Sequence, residues 1–251
     1  MNSKSYNYLQ NTIRNKGSGF VLLLDPDKLP LEKIPAAILQ AKEAGVDAFF
    51  IGGSFLMQEN FNEYVRQIKS HAGDQPVIIF PGSLYQISPH ADALLFISLI
   101  SGRNPEHLIG NQAIAAPMLW KLGIEPVSCG YMLIESGRKT SAEFVSNSSP
   151  IPRDKPEIAL AHALAAQYLG MKTVYLEAGS GAKISVPLEM ISLVSEAIDI
   201  PLFVGGGIRS PSEAADKVRA GANLIVIGNF FEKEEKFSLL SEFADAIHAK
   251  A

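Results

Sequence analysis

Short apolar runs recur along the chain, separated by longer stretches in which apolar residues return at helical spacing. Runs at 20–24, 48–51, 77–80, 93–97, 125–134, 173–176, 202–204 and 224–227 read as strands. Segments at 35–44, 60–70, 105–122, 156–168, 187–197, 211–220 and 233–250 read as helices. The helix at 156–168 is punctuated as expected, with Pro156 in its first turn and Gly170 just past its end. Strands alternating with helices predict a parallel sheet covered by helices. Eight such units in 251 residues predict an α/β fold, a (β/α)8 TIM barrel spanning 1–251 as one domain.

Two stretches depart from the ideal repeat. Residues 81–92, between the third and fourth strands, contain Pro81, Gly82 and Pro89 and leave too little room for a full crossover helix. A modified barrel is therefore expected, with helix 3 shortened or replaced by a loop and a groove opened in its wall. Residues 136–154 form a polar connection longer than the usual strand-to-helix loop. It is either a lid or functional loop, or a passive insertion.

Active sites of such barrels gather at the C-terminal ends of the strands. The last two strands lead into Gly205-Gly206-Gly207-Ile208-Arg209 and Gly228-Asn229, each followed by a helical pattern. Bare N–H groups beside a helix N-terminus suit a phosphate dianion, and the turns after strands 7 and 8 are its usual seat in this fold. The competing reading is that these glycines only let a helix approach its strand. Asp25 follows strand 1 and Ser54 follows strand 2, two hard oxygen donors of the kind that hold Mg²⁺ together with water and substrate phosphates. Asp25-Pro26-Asp27 serves equally as a turn or cap. Glu177 follows strand 6 at the edge of a glycine-rich loop, placed to accept a proton from a substrate hydroxyl or to pair with a base inside the barrel. Tyr175 is its companion or an inward-pointing filler.

Composition removes other classes. A net charge of -4 and a pI near 5.8 argue against general nucleic-acid binding. No apolar run approaches the roughly 18 residues of a membrane span, and residues 1–16 are too polar for a signal peptide. Cys129 is the only cysteine, which excludes an internal disulfide and fits a reducing cytoplasm. It reads as a buried structural thiol. The five histidines, His71, His90, His107, His162 and His248, lie off the predicted strand ends, so zinc chemistry is not expected. No lysine ends a predicted strand, which disfavours Schiff-base chemistry.

Taken together, Leu24-Asp25-Pro26-Asp27-Lys28, Ile51-Gly52-Gly53-Ser54, Phe80-Pro81-Gly82-Ser83, Tyr175-Leu176-Glu177-Ala178-Gly179-Ser180-Gly181-Ala182, Gly205-Gly206-Gly207-Ile208 and Ile227-Gly228-Asn229 resemble one family. It is the geranylgeranylglyceryl phosphate synthase family, with its heptaprenyl relatives. The resemblance runs from strand 1 to strand 8. The glycine turns are shared with many phosphate-binding barrels, whereas the Leu-Asp-Pro-Asp-Lys and Tyr-Leu-Glu-Ala-Gly-Ser-Gly stretches are more particular. One branch of the family carries lysine two residues before the metal aspartate; Leu23 stands there, so the chain is similar to the other branch.

The resemblance implies transfer of a polyprenyl group, geranylgeranyl foremost, from its diphosphate to sn-glycerol 1-phosphate, giving an ether and releasing diphosphate. It implies Mg²⁺ at Asp25 and Ser54. It places glycerol phosphate on Tyr175, Leu176, Glu177, Ala178, Gly179, Ser180 and Gly181, then on Gly206, Gly207, Gly228 and Asn229. Glu177 matches the glutamate that assists the attacking hydroxyl, with Tyr175 beside it. Phe55, Phe80, Leu84, Tyr85 and Trp120 are candidates to line the tail slot or to pack as ordinary core. A cytoplasmic homo-oligomer is expected. The alternatives are another phosphate-binding barrel enzyme, of isomerase or aldolase type, and a non-catalytic barrel that binds a phosphorylated ligand.

Overall fold

The fold was analysed in a computed structural model that describes residues 3–57, 59–232 and 234–248. Eight strands, β1 (Gly19–Leu24), β2 (Ala48–Ile51), β3 (Val77–Ile79), β4 (Ala93–Leu99), β5 (Glu125–Leu133), β6 (Thr173–Glu177), β7 (Leu202–Gly205) and β8 (Leu224–Ile227), form a closed barrel in sequence order. Every pair is parallel, and β8 closes on β1. The register sets Leu24 beside Ile51, and Glu177 beside Gly205. The residues just past these strands therefore meet on one rim.

The helices are α1 (Lys4–Lys16), α2 (Ile34–Glu43), α3 (Phe61–Ala72), α4 (Asn111–Leu122), α5 (Ser141–Ser146), α6 (Pro156–Tyr168), α7 (Leu188–Ser195), α8 (Pro211–Arg219) and α9 (Leu240–His248). No helix lies between β3 and β4, so the loop expected in place of helix 3 is present. The helix expected over 105–122 begins with a π-helical turn, Glu106–Gly110, before α4. The closing helix expected over 233–250 is α-helical only in α9, after 3-10 turns at Asn229–Glu232 and Glu234–Leu239. Lys233 and Lys250, at the ends of that expected helix, lie outside the described residues.

Apolar residues of the strands point alternately outward, under the helices, and inward. The interior is filled by Val21, Phe50, Ile78, Leu95, Val127, Phe203 and Leu224 among others. Near its top, Tyr175 stacks between Phe80 and Phe203, with centroids 5.5 and 5.7 Å away and ring planes 12° and 4° apart. At the bottom, α1 plugs the barrel by burying Leu9 against the inward residues. Its first turn is held by buried Glu125, which accepts the N–H of Ser5 at 2.7 Å and of Tyr6 at 3.1 Å. Those two donors belong to the set that an α-helix leaves unpaired at its start. Cys129 is fully buried on β5, where burial pushes its thiol up to about 12, in keeping with a structural role.

Candidate active site

A cavity of about 350 Å³ opens at the C-terminal rim. Its wall carries Asp25, Gly53 and Ser54 after β1 and β2, and Gly179, Ser180, Gly181, Gly206, Gly207, Gly228 and Asn229 after β6, β7 and β8. Between them runs an apolar arm lined by Leu84 and Ile87 from the helix-less loop, Phe96 and Ile97 from β4, and Ala115 from α4. Tyr175 and Glu177 stand over its aromatic floor.

The glycine end depends on backbone that other residues resist. Gly206 and Gly207 have φ of 83° and 75°, in the left-handed region. A Cβ on Gly206 would lie 2.4 Å from Glu177 Oε1 and 2.7 Å from the Gly179 nitrogen. Among the described residues, the amides of Gly206, Gly207, Gly228 and Asn229 donate to no backbone or side-chain acceptor. Four open N–H groups at a cavity wall form a concave anion seat. The Ser180 hydroxyl donates to Asn229 Oδ1 at 2.6 Å and ties the loop after β6 to the turn after β8. Leu176 and Ala178 are buried with their side chains in the layer beneath the helices, so only their backbone can face a ligand.

Glu177 is 6 % exposed and accepts the Gly179 N–H at 2.6 Å. Burial raises its carboxyl to about 7, against the pull of the Gly179 amide and the Tyr175 hydroxyl. No basic side chain pairs with it among the described residues, which sets aside the internal ion pair. Tyr175 points inward as a filler, yet its buried hydroxyl has no well-formed hydrogen bond and lies close enough for Glu177 to feel it. A buried acid poised near neutrality beside open amides can move a proton.

At the other end, Asp25 is half-buried. Burial raises its carboxyl, while the Asp27 amide donating to Oδ1 at 3.0 Å pulls the other way. The side chain thus shapes its turn and still faces the cavity. Asp27 turns away, accepting the Met57 N–H at 2.9 Å. Gly53 lies flat against the Asp25 carboxylate, where an added Cβ would be 3.2 Å from Oδ1, and Ser54 follows it along the wall. A carboxylate, a hydroxyl and an open cavity fit Mg²⁺, which takes few protein ligands and completes its shell with water and phosphate oxygens. Among the described residues no group of three or more His, Cys, Asp or Glu gathers as a richer metal cage would.

Phe80 and Leu84 line the cavity as expected. Phe55, Tyr85 and Trp120 do not; all three are exposed. An aromatic residue in an apolar stretch carries no label for the side of its element that faces solvent. Wall residues that escaped the sequence reading include Glu232, Gln112, Val145, Ile87 and Ala115, and His107, set apart there from zinc chemistry, also lines the cavity. Glu232 is pushed up by burial, with Lys28 opposing and Asp25 adding to the rise, so it stands near the Asp25 end. The polar connection at 136–154 is no detached insertion. It contains α5, started by a capping box between Thr140 and Glu143. Thr140 packs directly on Gly179, Arg138 lies over Gly181, and Ala142 and Val145 reach the cavity.

A closed eight-stranded parallel barrel with helices outside it defines the TIM-barrel class. Within that class the chain belongs to the PcrB family, whose model matches residues 10–247. It is 44 % identical over 251 residues to geranylgeranylglyceryl phosphate synthase of Chitinophaga pinensis, covering 100 % of this chain and 98 % of the relative. It is 47 % identical over 227 residues to that of Thermococcus kodakarensis, covering 90 % and 88 %. The crystal structure of (S)-3-O-geranylgeranylglyceryl phosphate synthase from Thermoplasma acidophilum, in complex with its substrate sn-glycerol-1-phosphate, superposes with a TM-score of 0.90. It is 35 % identical, with 96 % of this chain and 98 % of that one covered.

Proposed function

We propose that the chain is a prenyltransferase that joins a polyprenyl group, geranylgeranyl foremost, from its diphosphate to sn-glycerol 1-phosphate, releasing diphosphate. The observation that carries this reading is the buried Glu177 carboxyl, held near 7 between the open glycine amides and the apolar arm. The amides after β7 and β8 hold the phosphate of glycerol phosphate, with Ser180, Gly181 and Gly179 closing the seat from the β6 side. The arm takes the prenyl tail.

The reaction breaks the allylic C–O bond to diphosphate and forms a C–O bond to the glycerol hydroxyl. The hydroxyl proton passes to Glu177, which works as its carboxylate. Its negative charge also faces the carbon where positive charge develops. Tyr175 braces the carboxylate from within the barrel. Asp25 and Ser54 would hold Mg²⁺, and the ion's chemistry there is charge neutralisation of the departing diphosphate.

The same proposal includes a single domain, work in the cytoplasm as the lone reduced Cys129 suits, and assembly with a second copy of the chain. No helix among the described residues is long and apolar enough to cross a membrane. The partner face is α4, whose outward side carries Ile114, Met118, Trp120 and Leu122, all exposed, beside exposed Ile109. A helix apolar on every side is one that is buried somewhere. Sedimentation should accordingly give a mass above that of one chain. The activity is tested by incubating the protein with Mg²⁺, labelled sn-glycerol 1-phosphate and prenyl diphosphates of several lengths. An ether product is expected; none with any donor would sink the assignment.

A further inference from the structure

The helix-less loop between β3 and β4 ties the turns after β2 and β3 together through one side chain. Gln86 is fully buried. Its Oε1 accepts the N–H of Gly53 at 3.3 Å and of Gly82 at 3.2 Å, while its Nε2 donates to the Gly53 carbonyl at 2.8 Å. The opposite orientation of the amide would set its NH2 group against two N–H donors, so chemistry fixes the assignment. The two turns also touch backbone to backbone. A Cβ on Gly82 would fall 2.1 Å from the Gly53 carbonyl and 3.0 Å from Ser54 Cα.

Gly53 is the residue that lies flat on the Asp25 carboxylate and hands the chain to Ser54. We infer that Gln86 is a positioning residue for the metal and diphosphate end of the site: its amide sets where Ser54 stands relative to Asp25. The inference rests on the metal reading of Asp25 and Ser54. Gln86 lies behind the cavity lining and acts through the backbone of Gly53. Removing it leaves the partly buried Gly53 and Gly82 amides without their acceptor, and the cheapest remedy is for the two turns to part. Groups that orient metal ligands in this way typically cost about 10–100-fold in metal affinity or activity when removed. The glycine end is built from β6, β7 and β8 and shares no hydrogen bond with Gln86.

The test is calorimetry with two probes, Mg²⁺ plus inorganic pyrophosphate and sn-glycerol 1-phosphate alone, on the native chain, Gln86→Met and Asp25→Asn. Gln86→Met keeps the volume and removes the hydrogen bonds. It is expected to weaken Mg²⁺–pyrophosphate binding about 10–100-fold, with glycerol-phosphate affinity unchanged. Gln86→Asn keeps an amide too short to span both turns; it should give the same split and stands in if Gln86→Met does not fold. Equal loss of both ligands would make Gln86 a general structural residue and overturn the inference, as would unchanged pyrophosphate binding. Asp25→Asn separates the two failures. If it loses Mg²⁺–pyrophosphate while Gln86→Met keeps it, only the role of Gln86 falls. If Asp25→Asn also binds normally, the metal reading falls and the inference with it.

Discussion

Asp47 and Glu177 are both carboxylates buried in this barrel, 3 % and 6 % exposed, and their surroundings drive them in opposite directions. Asp47 sits at the bottom, just before β2. Burial alone would raise its carboxyl, but hydrogen bonds from His248, Lys16 at 2.5 Å and the Phe20 N–H outweigh that and leave it lowered. Glu177 sits at the top with one firm donor and rises to about 7. At the bottom, the Asp47 carboxylate is spent on joining α1, β1, β2 and α9. At the top, a carboxylate, a tyrosine hydroxyl and a row of amides are left short of partners. Buried polar groups without partners cost stability, and such costs persist where function uses them. The bottom holds the barrel closed; the top is where a ligand completes it.

The sharpest way to break this contrast is to remove the charge at the top. Glu177→Gln keeps the shape and should lower turnover by roughly two to four powers of ten, with little change in substrate binding. Steady-state kinetics with both substrates varied would reveal it. Next in size is closure of the anion seat. Gly206→Val forces a side chain into the space of Glu177 Oε1 and the Gly179 amide at a φ of 83°. Losing charge-assisted hydrogen bonds to phosphate should weaken glycerol-phosphate binding roughly ten- to a hundredfold, while pyrophosphate with Mg²⁺ still binds. Calorimetry reads both; equal loss of the two would indicate misfolding instead.

The smallest effect on chemistry is expected at the bottom. Asp47→Asn should lower stability by about 1–3 kcal/mol with kcat unchanged, as denaturant melts and kinetics would show. The sign follows from the lowered carboxyl. Its stabilisation is complete above the ordinary aspartate range and is lost as the pH falls through the depressed value. Reduced turnover in a folded Asp47→Asn protein would blur the line between the two ends.

The strands were legible because parallel strands buried on both faces are short apolar runs, as at 48–51 and 224–227. The rim residues were legible for a related reason: in a barrel the residue after a strand lies at the C-terminal face wherever the helices go. That argument found Asp25, Ser54, Glu177 and the glycine turns, and all of them line the cavity. The helix α1 was missed because its buried face is narrow, with Ser5, Leu9 and Thr12 the buried positions of an otherwise polar segment. For α5 a signal existed, since Thr140-Ser141-Ala142-Glu143 has capping-box spacing, but six residues are too few for periodicity to appear. Gln86 and Glu232 gave no local signal. Their surroundings come from residues far off in the chain, and a polar residue in a loop reads the same whether it is buried or solvated.

The central claim, that the carboxylate left short of partners at the top is the one that moves the proton, is tested most directly by the pH dependence of kcat/KM. At low substrate and saturating Mg²⁺, kcat/KM should rise with pH through an apparent pKa of about 7 and then level off, because Glu177 acts as its carboxylate. The same limb should vanish in Glu177→Gln. A native profile that is flat across neutral pH, or a limb that survives in the variant, would contradict the account and assign the proton to another group.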